Sequence, residues 1–512
     1  MYRLEVNTDR DWLTLYTKGK VAFSKQDFAT AIQLWQQALE LLQQDPEAPP
    51  HKVEQLQLDL KALQPKAVNE LEQAEQLFNL GNQSYQAGDY YNAAINWQTE
   101  LEIRKGILGL EHPDTLTNMN NLALTKYKIG DYQGALVLQQ QTLEIRQKVL
   151  GLEHPDTLGS MNNLANTKSS MGDYQGALEL KQQTLEIQQR VLGDEHPNTL
   201  SSMNNLALTK SSMGDYQGAL VLQQQTLEIM QKILGLEHPH TLISMSNLAL
   251  TRSSMGDYQG ALILNQETLE IRQRFLGLEH PNTLSSMNNL ANIKAELGDY
   301  QGALDLQQQT LEIQQRVLGL EYSDTLCSMN NLANIKRNMG DHRGALVLQQ
   351  QTLEIQQRVL GLEHPDTLTS MNNLANIKAE LGDYQVALVL QQQTLEIQQR
   401  VLGLEHPDTL KMMQNLAGTL FNLGLLEEAK LYEERVLESR RRIFGPEHPE
   451  TLVAQSNFAQ TLFTLGEVSK AIELAKNTLA DATRTLGSQH PITQQSSKNL
   501  QLMSPAEQIP EP

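Results

Sequence analysis

One cysteine, Cys327, stands among 512 residues, so the chain can close no internal disulfide and offers no cysteine-based zinc site. That usage fits a reducing compartment, and the expected location is cytoplasmic. Aromatic residues make up 5% of the chain, too few for the exposed ring platforms on which single-stranded nucleic acids stack. Positive charge is also scarce: 40 Lys and Arg face 60 Asp and Glu, a formal net charge of −20. A phosphate backbone is held by clustered Lys and Arg, so nucleic acid is not an expected partner. The surplus acid reads as solubility. No run of about 18 apolar residues is present, so no membrane span is expected. The opening MYRLEVNTDRDWLTLY lacks the charged and apolar segments of a secretory signal.

What the chain has in abundance is repetition. The string LGLEHPDTL, followed by MNNLA, GDYQGAL and LQQQTLEIQQR, returns with little drift. Its Glu-His-Pro anchor places His112, His154, His196, His238, His280, His364, His406, His448 and His490 at 42 residues or a multiple of it, and Tyr322 fills the gap in register. A fixed period in this range marks a stack of supersecondary units. Such a stack grows along one axis without enlarging a central core, so length alone does not imply several globular domains.

Residues 155–193 show how one copy folds. Pro155 suits a helix's first position, and Asp156 favours the positive end of its dipole. Leu158, Met161, Leu164, Ala165 and Met171 form a helical stripe. Gly172 can end that helix in the left-handed conformation, and Asp173 can cap the next. The second helix carries Ala177, Leu178, Leu180, Leu185, Ile187, Val191 and Leu192 before Gly193 stops it. The hairpin is apolar on more than one side. At about 1.5–3 kcal/mol per buried Leu, Ile or Met, stacking on a neighbour supplies most of its stability. Ala165 and Ala177, repeated as Ala123 and Ala135, Ala207 and Ala219, Ala249 and Ala261, and on to Ala459 and Ala471, mark the closest helix approaches.

A small residue, Gly, Tyr and Ala at these spacings resembles the tetratricopeptide repeat. The 42-residue length, with LEI, LG, Glu-His-Pro and NNLA in order, resembles the kinesin light chain subfamily. The resemblance implies an all-α, right-handed α-solenoid of stacked antiparallel helix hairpins, with a concave groove lined by first helices that binds peptide segments of other proteins. The expected organisation is a lead-in at 1–10, a first repeat at 11–44 and a linker with a short helix at 45–68. A second repeat follows at 69–109, then nine 42-residue repeats at 110–490 and a disordered tail at 491–512. The kinesin light chain family carries a heptad coiled coil ahead of its repeats. Here two more hairpins stand in its place, so partnership with a motor is not carried over. The copy at 323–361 departs with Tyr322-Ser323 for His-Pro, and copies after 407 lose the turn Asp (Leu425, Glu467), as an end cap would.

The candidate site is an asparagine ladder on the first helices: Asn79, Asn121, Asn163, Asn205, Asn247, Asn289, Asn331, Asn373, Asn415 and Asn457. A carboxamide both donates and accepts, so a spaced row can hold an extended peptide by its backbone. The resemblance places this position in the groove; the other reading is that each Asn bonds a neighbouring helix and tunes stacking. A preceding row, Asn162, Asn204, Asn288, Asn330 and Asn372, with Asn120 before it, and a following one, Asn292, Asn334 and Asn376, extend the site. Leu124, Asn166, Leu208 and Leu250 occupy the following row earlier and Gly418 later, so the groove is less polar in its first half and richer in amide in its second. A basic row, Lys126, Lys168, Lys210, Arg252, Lys294, Lys336 and Lys378, either attracts acidic peptides or packs its stems while the heads snorkel out. The Gln-rich stretches read as the solvated face of the second helices.

Successive Glu-His-Pro loops lie roughly 10 Å apart, the spacing of packed helices, too far to share a metal ion. No Ser-His-Asp set, P-loop or dinucleotide fingerprint accompanies them. The expectation is therefore a non-catalytic scaffold or adaptor for protein or peptide partners, with no cofactor, metal or small-molecule substrate. Its rivals are a self-associating structural rod and the regulatory or sensor arm of a separate effector enzyme. Base-by-base RNA reading suits neither the acidic charge nor the near-identical reading positions.

Overall fold

The computed structural model describes residues 8–24, 28–45, 49–62 and 65–504; the expected lead-in's residues 1–7 and the tail's residues 505–512 lie outside them. Among the described residues there are 24 α-helices and no strand. The copy at 281–317 shows the physical logic. His280 caps Pro281–Glu296 by accepting the Asn282 N–H on Nδ1 at 3.1 Å, and Pro281 costs nothing at a position whose N–H would be orphaned. The Asp299 N–H closes the far end on the Lys294 carbonyl at 2.9 Å. The Asp299 carboxylate then accepts the Gly302 N–H at 3.0 Å and starts Tyr300–Val317. His caps recur from His112 to His490 wherever His is present, whereas Tyr322 makes no side-chain cap.

Stacking is continuous. Leu284, Met287 and Leu290 of one first helix share a cluster with Leu269 of the preceding second helix and Ile313 of their own. Pro281–Glu296 thus lies between two second helices, as do the first helices of the neighbouring 42-residue copies. Ala291 and Ala303 are fully buried at the closest approach, as are their counterparts Ala249 and Ala261.

The chain divides into two compact units, Met1–Asn163 and Leu164–Pro512. In the first, Thr8–Ser24 and Phe28–Gln44 form the opening hairpin, whose Trp12, Trp35 and Leu42 cluster with Leu56 of the linker helix Pro50–Ala62. Trp35 lies against the bare backbone of Gly19, where an added Cβ would meet its Nε1 at 2.1 Å. The next hairpin begins at Pro65, earlier than the register of its apolar residues suggests.

The second unit closes on itself. His406 keeps its N-cap through Nδ1, while its Nε2 lies 2.7 Å from the carbonyl oxygen of Ser170, 236 residues earlier. His448 faces the backbone of Ser212 and His490 that of Ser254, the same offset each time. At 42 residues per repeat, 236 residues is about 5.6 repeats, one lap of the solenoid. Burial pulls the His448 imidazolium down to about 4, against the pull of Glu450, so the ring stays neutral, as its accepting Nδ1 requires. The contact is close: Cβ atoms added at Gly172 and Gly214 would lie 2.8 Å from Pro407 and 2.7 Å from His448. Tyr174 adds a ring contact with Phe444 at 5.7 Å.

One expectation needs correction. Residues 491–503 are a helix, not a disordered tail. His490 caps it as the other histidines do, and Leu500 and Met503 pack on Ala459, Leu462, Ala471 and Ala475. The last hairpin has an apolar side, and a largely polar segment with two well-placed apolar groups, Leu500 and Met503, folds onto it.

The lap closure is measurable. Gly214→Ala and Gly340→Ala both place a side chain at positive φ, but open space surrounds Gly340. Denaturant unfolding should show Gly214→Ala costing about 1–3 kcal/mol more; equal losses would mean that the laps do not touch in solution.

Candidate functional site

In Pro281–Glu296 the residues Thr283, Leu284, Ser286, Met287, Leu290, Ala291 and Ile293 are buried. Ser285, Asn292 and Glu296 are exposed, and Asn289 sits half-buried on the same stripe. The spacing of three and four residues makes this one face of the helix. In the second unit Asn205, Asn247, Asn331, Asn373, Asn415 and Asn457 hold the same position and the same partial exposure. In the first unit Asn121 and Asn163 are half-buried and Asn79 is exposed.

The ladder's hydrogen bonding is uneven. Asn163 donates to Asn120 at 2.9 Å, and Asn415 to Asn372 at 2.8 Å. Among the described residues no hydrogen bond ties the carboxamides of Asn205, Asn247, Asn289, Asn331, Asn373 and Asn457 to the protein. On the following row Asn292 is exposed, and Asn334 and Asn376 are half-buried.

The preceding row points elsewhere. The Asn288 Oδ1 accepts from Gln307 Nε2 at 2.7 Å and from the Ser328 hydroxyl of the next repeat at 2.9 Å. Asn330 does the same with Gln349 and Ser370. Asn204 accepts from Ser244, and the Asn162 Oδ1 is buried. This row joins layers; the groove reading of Asn162, Asn204, Asn288, Asn330 and Asn372 meets side chains already turned between helices. Their place one residue ahead of the open stripe rotates them by about 100° toward the neighbouring helices.

The second helices carry the matching half of that seam. Gln223, Gln307, Gln349 and Gln391 are at most 1% exposed, and Gln314, Gln356 and Gln398 form a second buried row. The reading of these stretches as wholly solvated is therefore corrected: the first Gln of each QQQ and of each QQR is interior. Charged residues replace Gln at two positions of the first row. Lys181, buried, donates to Thr209 at 2.8 Å, and burial pulls its ammonium down to about 8. Burial pushes the Glu433 carboxyl up to about 7, against a hydrogen bond from Thr461. The basic row is likewise engaged: Lys168, Lys210, Lys294, Lys336 and Lys378 pair with the turn aspartates at 2.5–3.2 Å, and Arg252 with Asp257 at 3.1 Å.

One set of positions escaped the sequence reading. A turn before each ladder Asn, the same helix face carries Ser201, Ile243, Ser285, Cys327, Thr369, Lys411 and Val453, most of them exposed. They differ from copy to copy while their neighbours repeat, and that variation was their signal. In the first unit a cavity of about 660 Å³ is lined by Tyr16, Phe23, Trp35, His112, Arg146 and His154, among others. Among the described residues no group of three or more His, Cys, Asp or Glu could hold a metal ion, and no helix is long and apolar enough to cross a membrane.

Two substitutions separate the rows. Asn288→Ala removes the acceptor of two buried donors and should cost about 1–3 kcal/mol. Asn289→Ala should stay within about 0.5 kcal/mol of the parent in the same melts. At Glu433 a raised native pKa means that the folded state binds the extra proton, so stability falls as pH rises from about 4.5 to about 7. Glu433→Gln should match the parent near pH 4 and exceed it at pH 8 by on the order of 3 kcal/mol; a gap that does not grow with pH contradicts the buried carboxyl.

Comparison with known proteins fits this architecture. No curated protein matches the sequence. The tetratricopeptide repeat family matches at 72–148, 117–188, 156–232, 211–274, 241–316, 324–400, 372–442 and 408–484. Among solved structures, the kinesin light chain nearly identical TPR-like repeats of Podosopora anserina share 35% identity over 40% of this chain and 98% of that one, with a TM-score of 0.34. BtubC (BKLC) of P. vanneervenii shares 20% identity over 49% of this chain and 92% of that one, at a TM-score of 0.35. A Rap protein complexed with competence and sporulation factor shares 12% identity over 73% of this chain and 98% of that one, at a TM-score of 0.44. The chain belongs to the tetratricopeptide repeat family, with 42-residue repeats of the kinesin light chain-like type.

Proposed function

We propose that this chain is a non-catalytic scaffold that binds an extended segment of a partner protein along the first-helix stripe of its second unit. Repeats of this family mediate protein–protein interactions. The observation that carries the finer reading is the set of carboxamides at Asn205, Asn247, Asn289, Asn331, Asn373 and Asn457, half-exposed and without a hydrogen bond to the protein. Polar groups so placed satisfy a peptide's N–H and C=O without reading its side chains. Direction and selectivity then fall to the positions that vary between copies: Ile243 and Leu250 in one, Ser285 and Asn292 in the next, Lys411 and Gly418 later. The basic row contributes little attraction for acidic peptides, because its charges are paired within the hairpin turns.

A displayed library of random twelve-residue peptides, panned against the full chain, supplies the probe. Binders should lose about a hundredfold or more in affinity for Asn289→Ala/Asn331→Ala/Asn373→Ala, at about 1 kcal/mol per lost hydrogen bond. Circular dichroism and melting should not change. N-methylation of the peptide backbone should weaken binding more than side-chain exchange does. A library that enriches nothing, or binders indifferent to the triple variant, rejects the ladder as the binding surface.

A further inference from the structure

The lap closure of the second unit joins two edges of the solenoid. One edge carries the His-Pro helix starts, and the other the Ser-Met-Gly-Asp-Tyr turns between paired helices. The contact forms at three successive steps: His406 lies in hydrogen-bond reach of the Ser170 carbonyl, and the His448 and His490 rings pack against the backbone at Gly214 and Gly256. At each step His406, His448 or His490 is buried, and the facing Gly172, Gly214 or Gly256 is half-covered.

Both edges continue past the contact in nearly the same letters. The turn edge runs on through Gly298, Gly340 and Gly382, all exposed and with open space around a Cβ at each. Leu297, Met339 and Leu381, which correspond to the half-buried Met171, Met213 and Met255, are 42%, 41% and 37% exposed. On the His-Pro edge, His196, His238 and His280 are only half-buried, and their prolines Pro197, Pro239 and Pro281 are exposed. Each of these histidines spends Nδ1 on its own helix cap, as His406 does. The Nε2 that His406 gives to Ser170 has no described partner in them. The chain therefore presents, outward and unmatched, both halves of a contact that it already makes internally.

We propose that a second copy of this chain docks there, its His-Pro edge on the uncovered turns at Leu297, Met339 and Leu381, so that molecules associate head to tail. The two surfaces are different patches, which makes the contact heterologous. It leaves one edge of each kind open on every dimer and adds further copies in line instead of closing as a pair. The partner's chemistry is set by the internal contact: a neutral imidazole donating to a turn carbonyl, with a proline ring over glycine and apolar side chains beside it. Peptide binding on the inner stripe does not enter into this contact, so the two proposals fail separately.

Sedimentation velocity of the full chain over a hundredfold concentration range tests it, beside two edge variants. Leu297→Glu/Met339→Glu/Leu381→Glu spoils the turn edge. His196→Asp/His238→Asp/His280→Asp spoils the other, since aspartate keeps the helix caps but sets a charge against a carbonyl. The parent should grow past dimer with concentration, and each variant alone should stay monomeric. An equimolar mixture of the two should stop at a one-to-one dimer, because one intact edge of each kind remains. Unchanged helicity shows that the variants fold; the milder His→Asn set replaces His→Asp if they do not. A parent that stays monomeric overturns the proposal, as does either edge variant assembling by itself, or a mixture without heterodimer.

Discussion

Everything in this molecule depends on one constraint: a first helix that is apolar toward both the second helix before it and the second helix after it. Leu284, Met287 and Leu290 cannot be satisfied by their own hairpin, and the cluster that contains them reaches back to Leu269. No repeat is a folding unit alone, and the hydrophobic term that stabilises one copy is the same term that fixes its neighbour's position. The correction at 491–503 follows from this. An end of the stack with exposed Ala459, Leu462, Ala471 and Ala475 would be costly, and the chain folds one more helix over it.

A polar seam runs inside that apolar stack. Gln307 and Ser328 converge on Asn288, and Gln349 and Ser370 on Asn330, so each hydrogen-bonded set ties a second helix to first helices of two repeats. Apolar contacts between near-identical helices tolerate sliding; a buried acceptor with two required donors does not. The seam therefore assigns register, and the cost of breaking it is visible where Glu433 stands in place of Gln and is driven toward its neutral form. In Pro197–Ser212, Pro281–Glu296, Ser323–Asn338 and Pro365–Glu380 the Asn-Asn pair divides its labour. One residue works between layers, and the other is half-exposed with no hydrogen bond from its carboxamide to the described residues.

Much of this was legible in the letters. The helix starts at His-Pro, the Gly stops, the Asp caps and the buried Ala positions all follow from short-range rules, and the turns formed where those rules put them. The basic row and the glutamines were harder to read. Lys294 lies five residues before Asp299, and only the turn's geometry brings its head 2.6 Å from that carboxylate. Gln307 and Gln308 are adjacent and identical, yet one is buried and the other exposed, a distinction of helical phase that composition cannot express. The variable residues ahead of each ladder Asn were visible as departures from the repeat, but their shared exposure needed the packed helix.

The hairpin, its caps, its period and the need to stack are all written in the letters, because each of these arises within one repeat or between adjacent ones. That His406 meets Ser170 across 236 residues emerges only in the folded chain. That meeting depends on the small rotation added at each repeat, summed over an entire lap, and no local rule carries a sum of that kind. A histidine that reads in sequence as an ordinary helix start thereby acquires a second hydrogen bond on its far nitrogen. The copies that lack such a partner remain chemically ready for one.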